Sequence, residues 1–156
     1  MKQVIIYCDG ACKRNPGPGG WAAILKYKKY KKRISGYSPK ATSNIMEMTA
    51  AIKALEQLKK KCKVDIFTDS RYMKNGITKW IKNWKKTGWK TSKKEPVKNK
   101  ELWVQLDELC SRHIVNWFWI KGHSGNPDNE ECDMLANNEI KKNVLNIQKN
   151  GLSRTN

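Results

Sequence analysis

Two short segments of the chain share one pattern of residue types, and each ends in an aspartate. Residues 4–9 and 64–69 both run valine, any residue, isoleucine, an aromatic residue, a small residue and aspartate. Such apolar, β-branched segments favour buried strands. Between them, residues 42–60 carry apolar side chains at helical spacing. A strand, a helix and a second strand predict a parallel pair, with Asp9 and Asp69 side by side at the carboxyl edge of the sheet.

The other patterns along the chain complete an α/β domain. Strands are predicted over residues 3–8, 21–28, 30–38, 64–68 and 113–120. Helices are predicted over residues 42–60, 70–86, 100–111 and 127–142. The Asn-Pro-Gly-Pro-Gly-Gly run at 15–20 predicts a turn, Gly76 a break in the second helix, and Asn99 the cap of the third. The order predicts a mixed five-stranded sheet, an antiparallel meander followed by two parallel strands, with helices on both faces.

Length and composition limit the class of protein. The 156 residues predict one domain over residues 1–142 and a polar, flexible tail over 143–156. The five cysteines form no Cys-x-x-Cys pair, which indicates reduced thiols rather than a zinc or redox site. The sequence contains no apolar run of the roughly 20 residues that span a membrane, and no apolar signal segment. We therefore expect a cytoplasmic protein without membrane contact.

The chain is strongly basic, with 32 Lys and Arg against 14 Asp and Glu and a net charge of +18. This excess indicates a polyanionic partner, either nucleic acid or a membrane surface. Between residues 79 and 100, nine lysines and one acid alternate with three tryptophans, which favours nucleic acid because rings stack on bases while ammonium groups bind phosphates. A solvated face is the alternative, and the helical spacing of Trp80 and Trp84 indicates that one of them belongs to the core. The basic run at 26–33 is compatible with a protected edge strand.

Four acidic residues are expected to face the interior. Asp9 and Asp69 end strands, Glu47 borders the apolar stripe of the 42–60 helix, and Asp133 shares the apolar face of the last helix. Two carboxylates about 4 Å apart repel by roughly 4 kcal/mol at an effective dielectric of 20, and hard divalent cations relieve this repulsion. Singly, Asp69 could cap a helix, Glu47 could stabilise a helix dipole, and Asp133 could pair with a lysine. The set of four together predicts a site for Mg²⁺ or Mn²⁺.

Several longer motifs follow one another along the chain. They are DGACKRNPGPGGW (9–21), TSNIMEMTAA (42–51), TDS (68–70), GITKWIKNWKKTGWKT (76–91), PVKNKELW (96–103) and KGHSGNPDNEECDMLA (121–136). In this order, and up to about residue 140, they resemble the motifs of bacterial ribonuclease H, type HI. The resemblance implies the ribonuclease H-like fold, with a basic protrusion over residues 76–100. It also implies endonucleolytic hydrolysis of the RNA strand of RNA–DNA hybrids, leaving 5′-phosphate and 3′-hydroxyl ends.

The resemblance further implies the roles of the acidic residues. Asp9, Glu47, Asp69 and Asp133 correspond to the metal-binding carboxylates of the family, and His123 to the histidine of a mobile loop. The implied reaction uses two Mg²⁺ ions roughly 3.5–4 Å apart, with Mn²⁺ as a substitute. Asp9 and Asp133 would hold the ion that activates water. Asp9, Glu47 and Asp69 would hold the ion at the departing 3′-oxygen, while His123 would move protons or help the product leave.

Substrate contacts are implied at further positions. Cys12, Asn15, Asn44 and Arg71 correspond to family residues that contact 2′-hydroxyls and minor-groove edges, and Thr42 to a pocket for a DNA phosphate. Asn15 could also be a turn residue, and Thr42 could also cap a helix. At each position the structural role is compatible with substrate binding. In the protrusion we expect four residues to bind the hybrid: Trp80, Lys82, Lys85 and Lys86.

The sequence departs from the family pattern at three positions. Ile45 replaces an arginine and Arg71 a glutamine that many bacterial members carry, and Cys8 replaces the common threonine before the first aspartate. These departures concern substrate contacts and leave the four acids intact. His113, at the start of a strand, is expected to be structural. Residues 17–22 match G-x-G-x-x-A, but they precede a strand and predict a hairpin turn rather than a dinucleotide site.

We therefore expect a monomeric ribonuclease H that removes RNA primers and hybrids during replication and repair, without an obligatory protein partner. One alternative is a nucleic-acid-binding module that retains the fold without catalysis. Another is a different nuclease of the superfamily, such as a Holliday-junction resolvase or an integrase core. The intact set of acids argues against the first, and the Trp-Lys protrusion together with the histidine loop argues against the second.

Overall fold

A mixed five-stranded sheet organises the chain, which the computed structural model describes over residues 1–154. The strands are β1 (Gln3–Cys12), β2 (Gly17–Tyr27), β3 (Tyr30–Ala41), β4 (Lys63–Thr68) and β5 (Ile114–Trp119). They lie in the order β3-β2-β1-β4-β5. The first three are antiparallel, while β4 is parallel to β1 and β5 is parallel to β4. The predicted sheet is therefore confirmed.

The two repeated segments are neighbours in this sheet. β1 and β4 pair in parallel register, with Tyr7 opposite Phe67. Asp9 and Asp69 each follow two residues later, Asp69 directly after the end of β4, and their carboxylate oxygens lie within 4.8 Å of each other. The predicted juxtaposition of these aspartates at the carboxyl edge is confirmed.

Helices cover both faces of the sheet, as predicted. They are α1 (Ser43–Glu56), α2 (Arg71–Asn75), α3 (Ile81–Lys86), α4 (Lys100–Ser111) and α5 (Pro127–Arg154). A π-helical turn over Gly76–Trp80 joins α2 to α3, at the break that Gly76 predicts. The main core lies between the sheet, α1 and α4, and a smaller core lies between α5 and β2 on the opposite face. No helix within residues 1–154 combines the length and apolarity needed to cross a bilayer.

Alternation along β1 builds the two cores. Val4, Ile6 and Cys8 are buried in the main core, whereas Tyr7 and Ala11 pack towards α5. From α1, the apolar stripe contributes the buried residues Met48, Ala51, Ile52 and Leu55. Burying one such large aliphatic side chain stabilises the fold by about 1.5–3 kcal/mol. The two cores therefore fix the end of β1, where Asp9 lies, between α1 and α5.

The turn that the run at 15–20 predicts is present, but it lies earlier in the chain than predicted. β2 already begins at Gly17, and Gly19 and Gly20 pair with β1, so residues 13–16 connect the strands. A β-carbon at Gly20 would overlap the carbonyl oxygen of Ala136 in α5. This glycine therefore allows a helix to pack directly on the strand backbone.

Asn99 does not cap α4 through its side chain, although it occupies the position before the helix. Its backbone has φ +60° and its side chain makes no capping hydrogen bond. The Asn99 amide nitrogen instead donates to the Tyr72 hydroxyl at 3.1 Å. Asn99 thus occupies the predicted cap position, and its carbonyl oxygen accepts from the Trp103 N–H at 3.0 Å, but its side chain ties the start of α4 to α2 instead of capping the helix.

The last helix is longer than the sequence analysis predicts. α5 continues to Arg154, so residues 143–154 of the predicted flexible tail are helical, and residues 155–156 lie outside the described residues. No proline or glycine interrupts residues 128–150. The Asn143 side chain also donates to the Glu139 carbonyl oxygen one turn earlier, at 2.8 Å. The proposed domain boundary at residue 142 therefore falls within a helix.

Candidate active site

Three carboxylates meet at the carboxyl edge of the sheet. Asp9 in β1, Glu47 in α1 and Asp69 after β4 each offer one oxygen, and these oxygens lie within 4.8 Å of one another. Asp9 and Glu47 are buried, and Asp69 is half-buried. The structure therefore brings together three of the four acids that the sequence assigns to a metal site.

Backbone contact between β1 and α1 places Glu47 beside Asp9. A β-carbon at Gly10 would lie 2.5 Å from the Glu47 amide nitrogen and 2.6 Å from the Met46 carbonyl carbon. Only a glycine permits so close an approach of strand and helix. The helix itself starts at the Thr42 cap, whose hydroxyl oxygen accepts from the Ile45 N–H at 3.2 Å.

Asp133 approaches the same cluster from α5. Its carboxylate is half-buried and lies outside the group of three. Burial is the main cause that raises the pKa of Asp9 to about 7, and repulsion from Asp69 and Asp133 adds to the rise. Burial and then repulsion from Asp133 also raise the pKa of Asp69. The negative charge of Asp133 therefore acts on both of these aspartates.

Within residues 1–154, the acids do not have the structural roles that each could have alone, namely a helix cap, a helix-dipole partner or an ion-pair partner. The Ser70 hydroxyl, rather than Asp69, caps α2 by accepting from the Met73 N–H at 3.1 Å. Glu47 lies beyond the first turn of α1, away from the dipole position. Asp133 forms no ion pair within residues 1–154. Within residues 1–154, no lysine or arginine thus forms an ion pair with any of the four acids.

The cluster fits a hard divalent cation. Burial, followed by repulsion from Asp9, raises the pKa of Glu47 well above its usual value. The Glu47 Oε2 atom is buried without a hydrogen-bond partner in residues 1–154. An unpaired buried carboxylate oxygen is costly, and a metal ion compensates it. Because the donors are all oxygens, Mg²⁺ and Mn²⁺ are the ions that they suit.

The loop between β5 and α5 passes against the cluster. A β-carbon at Gly122 would lie 2.8 Å from the Asp69 Oδ2 atom, so the loop backbone contacts this carboxylate. The next residue, His123, is exposed and has φ +57°. Its charge partly offsets the rise in the Asp69 pKa that burial causes. His123 therefore lies near enough to Asp69 to act on its carboxylate, and its part in the reaction stays a prediction.

Predicted substrate residues gather around the start of α1. The Asn15 Oδ1 atom accepts from the Ser43 N–H at 2.9 Å, beside the Thr42 cap. The Cys12 sulfur lies 3.1 Å from the Ala41 carbonyl oxygen, which directly precedes the same cap. Asn44, in the first turn, is half-buried. These residues therefore lie together at the start of α1, the helix that also carries Glu47.

Arg71, two residues after Asp69, lies over an aromatic ring that sequence reasoning missed. The Arg71 guanidinium carbon is 4.2 Å from the centre of the Trp119 ring. The Trp119 indole N–H donates to the Asp69 carbonyl oxygen at 3.0 Å. The only sequence signal was a tryptophan near the end of the last strand, which core packing alone would explain.

The residues of the predicted protrusion form a separate surface on the π-helical turn and α3. Lys82, Lys85 and Lys86 are exposed, and Trp80 is 39% exposed. Lys85 pairs with Asp107 of α4 at 2.7 Å. The predicted core tryptophan is Trp84, which is half-buried against the fully buried Trp103, with ring centres 5.4 Å apart.

Two other basic features are structural. The His113 Nδ1 atom accepts from the Cys62 N–H at 3.1 Å, and burial lowers the His113 pKa, so its predicted structural role is confirmed. In the 26–33 run, cations of β2 and β3 pair with the first two turns of α5 through Lys26–Asp128, Lys31–Asp128, Lys31–Glu131 and Arg33–Glu131. This run therefore attaches α5 to the sheet, and β3 is an edge strand as expected.

Comparisons with known proteins agree with this architecture. The model of the RNase H family matches residues 1–141. The ribonuclease H of Stutzerimonas stutzeri (strain A1501) is 56% identical over 137 residues, covering 88% of this chain and 91% of the relative. That of Francisella philomiragia subsp. philomiragia is 57% identical over 137 residues, covering 88% and 90%. The crystal structure of LC9-RNase H1 is similar with a TM-score of 0.83 at 26% identity, covering 91% of this chain and 74% of that one. The chain therefore belongs to the RNase H family of hydrolytic nucleases.

Proposed function

We propose that the chain hydrolyses the RNA strand of RNA–DNA hybrids with the help of Mg²⁺ held by Asp9, Glu47, Asp69 and Asp133. The observation that carries this proposal is the cluster of three carboxylates within 4.8 Å in a chain of net charge +18. A protein that only bound nucleic acid would gain nothing from buried negative charge beside phosphates. Metal-assisted hydrolysis needs that charge.

Two ions that share Asp9 would use this donor set. Asp9 and Asp133 would hold one ion, and Asp9, Glu47 and Asp69 would hold the other, with the Glu47 Oε2 atom, which has no hydrogen-bond partner within residues 1–154, as a ligand. When bound, the two cations supply a more acidic water and stabilise the charge on the scissile phosphate and the departing 3′-oxygen. Mn²⁺ has the same preference for oxygen ligands and is expected to substitute.

Residues of the chain contribute rigidity and proton transfer. Since β1 and α1 are in backbone contact at Gly10, Asp9 and Glu47 keep their positions as charge develops on the phosphate. His123, in its exposed loop beside Asp69, delivers a proton to the departing 3′-oxygen or assists product release. The products carry 5′-phosphate and 3′-hydroxyl ends.

The surface at the start of α1 distinguishes RNA from DNA. The Oδ1 atom of Asn15 is occupied by the Ser43 N–H, which fixes the side chain and directs its amide N–H groups to the substrate. These donors, with Asn44 and Cys12, bind 2′-hydroxyls and minor-groove edges. The Thr42 hydroxyl accepts within its cap and keeps its own proton to donate to a DNA phosphate. On the protrusion, Trp80 and the three lysines bind the hybrid backbone: Lys82, Lys85 and Lys86.

In the cell, this activity would remove RNA primers and hybrids during replication and repair. We propose that the chain acts in the cytoplasm. We also propose that it acts as a monomer, because a single copy supplies all four carboxylates and both substrate surfaces.

Cleavage of a labelled RNA strand tests the proposed function. The RNA is presented as a hybrid with DNA and as a duplex with RNA, each in Mg²⁺ and in EDTA. We expect fragments with 5′-phosphate ends from the hybrid in Mg²⁺ only. Binding of the hybrid without cleavage, in both Mg²⁺ and Mn²⁺, would instead identify a non-catalytic module.

A further inference from the structure

Arg71 is a permanently charged side chain beside the carboxylate cluster that is not neutralised within the described chain. It is exposed, and within residues 1–154 it forms no ion pair with any carboxylate. Two other arginines differ in this respect, since Arg33 pairs with Glu131 and Arg112 with Glu108. The charge of Arg71 is thus available to an anion from outside the chain.

The Trp119 ring holds this guanidinium in place. The ring centre is 4.2 Å from the Arg71 guanidinium carbon. One face of a planar guanidinium can stack on an aromatic ring while its N–H groups remain directed outwards along the edge. That edge presents paired donors, which match two oxygens of a phosphate group.

The same indole also holds the strand end that carries Asp69. Its N–H donates to the Asp69 carbonyl oxygen at 3.0 Å, so the ring contacts Arg71 through its face and Asp69 through its edge. A phosphate bound by Arg71 would therefore lie at a fixed position relative to the carboxylate cluster.

We propose that Arg71 binds a backbone phosphate of the hybrid beside the scissile group, and that Trp119 is the positioning residue for this contact. The inference rests on the proposed function, because it requires a hybrid to lie across Asp69. It differs from the minor-groove contact that the family resemblance implies at this position. A glutamine there could hydrogen-bond a base edge or a 2′-hydroxyl, but it could not neutralise a phosphate.

The salt dependence of hybrid binding tests this phosphate interaction without metal or cleavage. Fluorescence anisotropy in EDTA gives the binding constant between about 50 and 200 mM salt, and the magnitude of its logarithmic slope falls by about 0.9 for each phosphate that the protein no longer neutralises. We expect Arg71→Gln to reduce the slope by that amount and Arg71→Lys to preserve it. The control is Arg112→Gln, the same change at the opposite end of β5, which should leave the slope unaltered. A wild-type slope for Arg71→Gln would overturn the proposal.

The role of Trp119 is tested by combining substitutions. Trp119→Leu removes the ring, so we expect it to reduce the slope towards that of Arg71→Gln, and the double variant to show little further reduction. If Trp119→Leu does not fold, Trp119→Phe is used instead. This variant keeps an aromatic ring at the position, but the ring attracts the guanidinium less strongly than indole does. Coupling between Trp119→Phe and Arg71→Gln supports the positioning role, and additive effects overturn it.

The wild-type protein separates this inference from the proposed function. If the wild-type chain neither binds nor cleaves the hybrid in Mg²⁺, the proposed function fails whatever Arg71 does. If it cleaves the hybrid while Arg71→Gln keeps the wild-type salt slope, only the phosphate interaction is wrong.

Discussion

Gly10 and Glu47 are in such close backbone contact that a β-carbon on the glycine would lie 2.5 Å from the glutamate amide nitrogen. This contact joins the two elements that carry the buried carboxylates, since Asp9 precedes Gly10 on β1 and Glu47 lies on α1. The acidic cluster therefore depends on a residue that has no side chain. The geometry of the strand–helix junction, as much as the acids, determines whether the cluster forms.

Gly10→Ala is expected to impair both stability and metal binding. The added methyl group would push α1 away from β1, at a cost of about 1–3 kcal/mol in the free energy of unfolding. Because Glu47 would move with the helix, the affinity for Mg²⁺ should also fall. Chemical denaturation and isothermal titration calorimetry measure the two effects. Wild-type values for both would show that the junction tolerates a side chain and that the close contact has no role.

Asp9→Asn is expected to abolish cleavage while hybrid binding survives, and to stabilise the metal-free protein. Burial raises the pKa of Asp9 to about 7, so its charged form destabilises the fold above that pH. The destabilisation decreases as the pH falls towards the pKa of an aspartate in the unfolded chain, which is about 4. In EDTA, the variant should therefore gain about 1–3 kcal/mol over the wild type at pH 8 and less at pH 5.

Urea denaturation at the two pH values measures this gain. Glu56→Gln, which neutralises an exposed carboxylate on α1, is the control and should show no comparable gain. An Asp9→Asn variant that cleaves hybrid at the wild-type rate would remove Asp9 from the metal site.

Metal binding should become weaker as the pH falls through neutrality. Mg²⁺ binds the ionised carboxylate, and Asp9 has its pKa raised to about 7, so binding must displace a proton at lower pH. For one such proton, we expect the affinity to fall about tenfold between pH 8 and pH 6. Calorimetry in buffers of different ionisation enthalpy reports both the affinity and the proton released. An affinity independent of pH would contradict the assignment of Asp9 as a ligand.

The sequence predicted the position of the acids better than the contacts that hold them. A repeated strand pattern with an intervening helix is sufficient to place Asp9 opposite Asp69, because parallel register and strand length follow from local pattern. No local sequence pattern indicates how closely a helix will approach a strand. The contacts of Gly10 with α1 and of Gly20 with α5 are therefore evident only from the folded structure.

Charged and aromatic residues away from the acids were less predictable for a similar reason. The cations of the 26–33 run pair with Asp128 and Glu131, about one hundred positions later in the chain. The stacking of Arg71 on Trp119 also joins two elements that are distant in sequence. Both contacts depend on tertiary packing, whereas composition reports only that the residues are basic or aromatic.

Asp107 is expected to weaken hybrid binding, because its carboxylate forms an ion pair with Lys85. The two side chains form an ion pair at 2.7 Å, so one of the lysines of the protrusion is partly neutralised. Asp107→Asn would free Lys85 for a phosphate and remove a repulsive charge. We expect the hybrid affinity at low salt to rise about two- to fivefold, the equivalent of about 0.5–1 kcal/mol.

Glu108→Gln makes the same change in net charge at the next residue, whose partner is Arg112, and serves as the control. Anisotropy at low and high salt should show a gain for Asp107→Asn that exceeds that of Glu108→Gln and decreases as salt screens the charges. Equal gains for the two variants would mean that only net charge matters and that Lys85 makes no specific contact. A gain confined to Asp107→Asn would place Lys85 on the hybrid-binding surface.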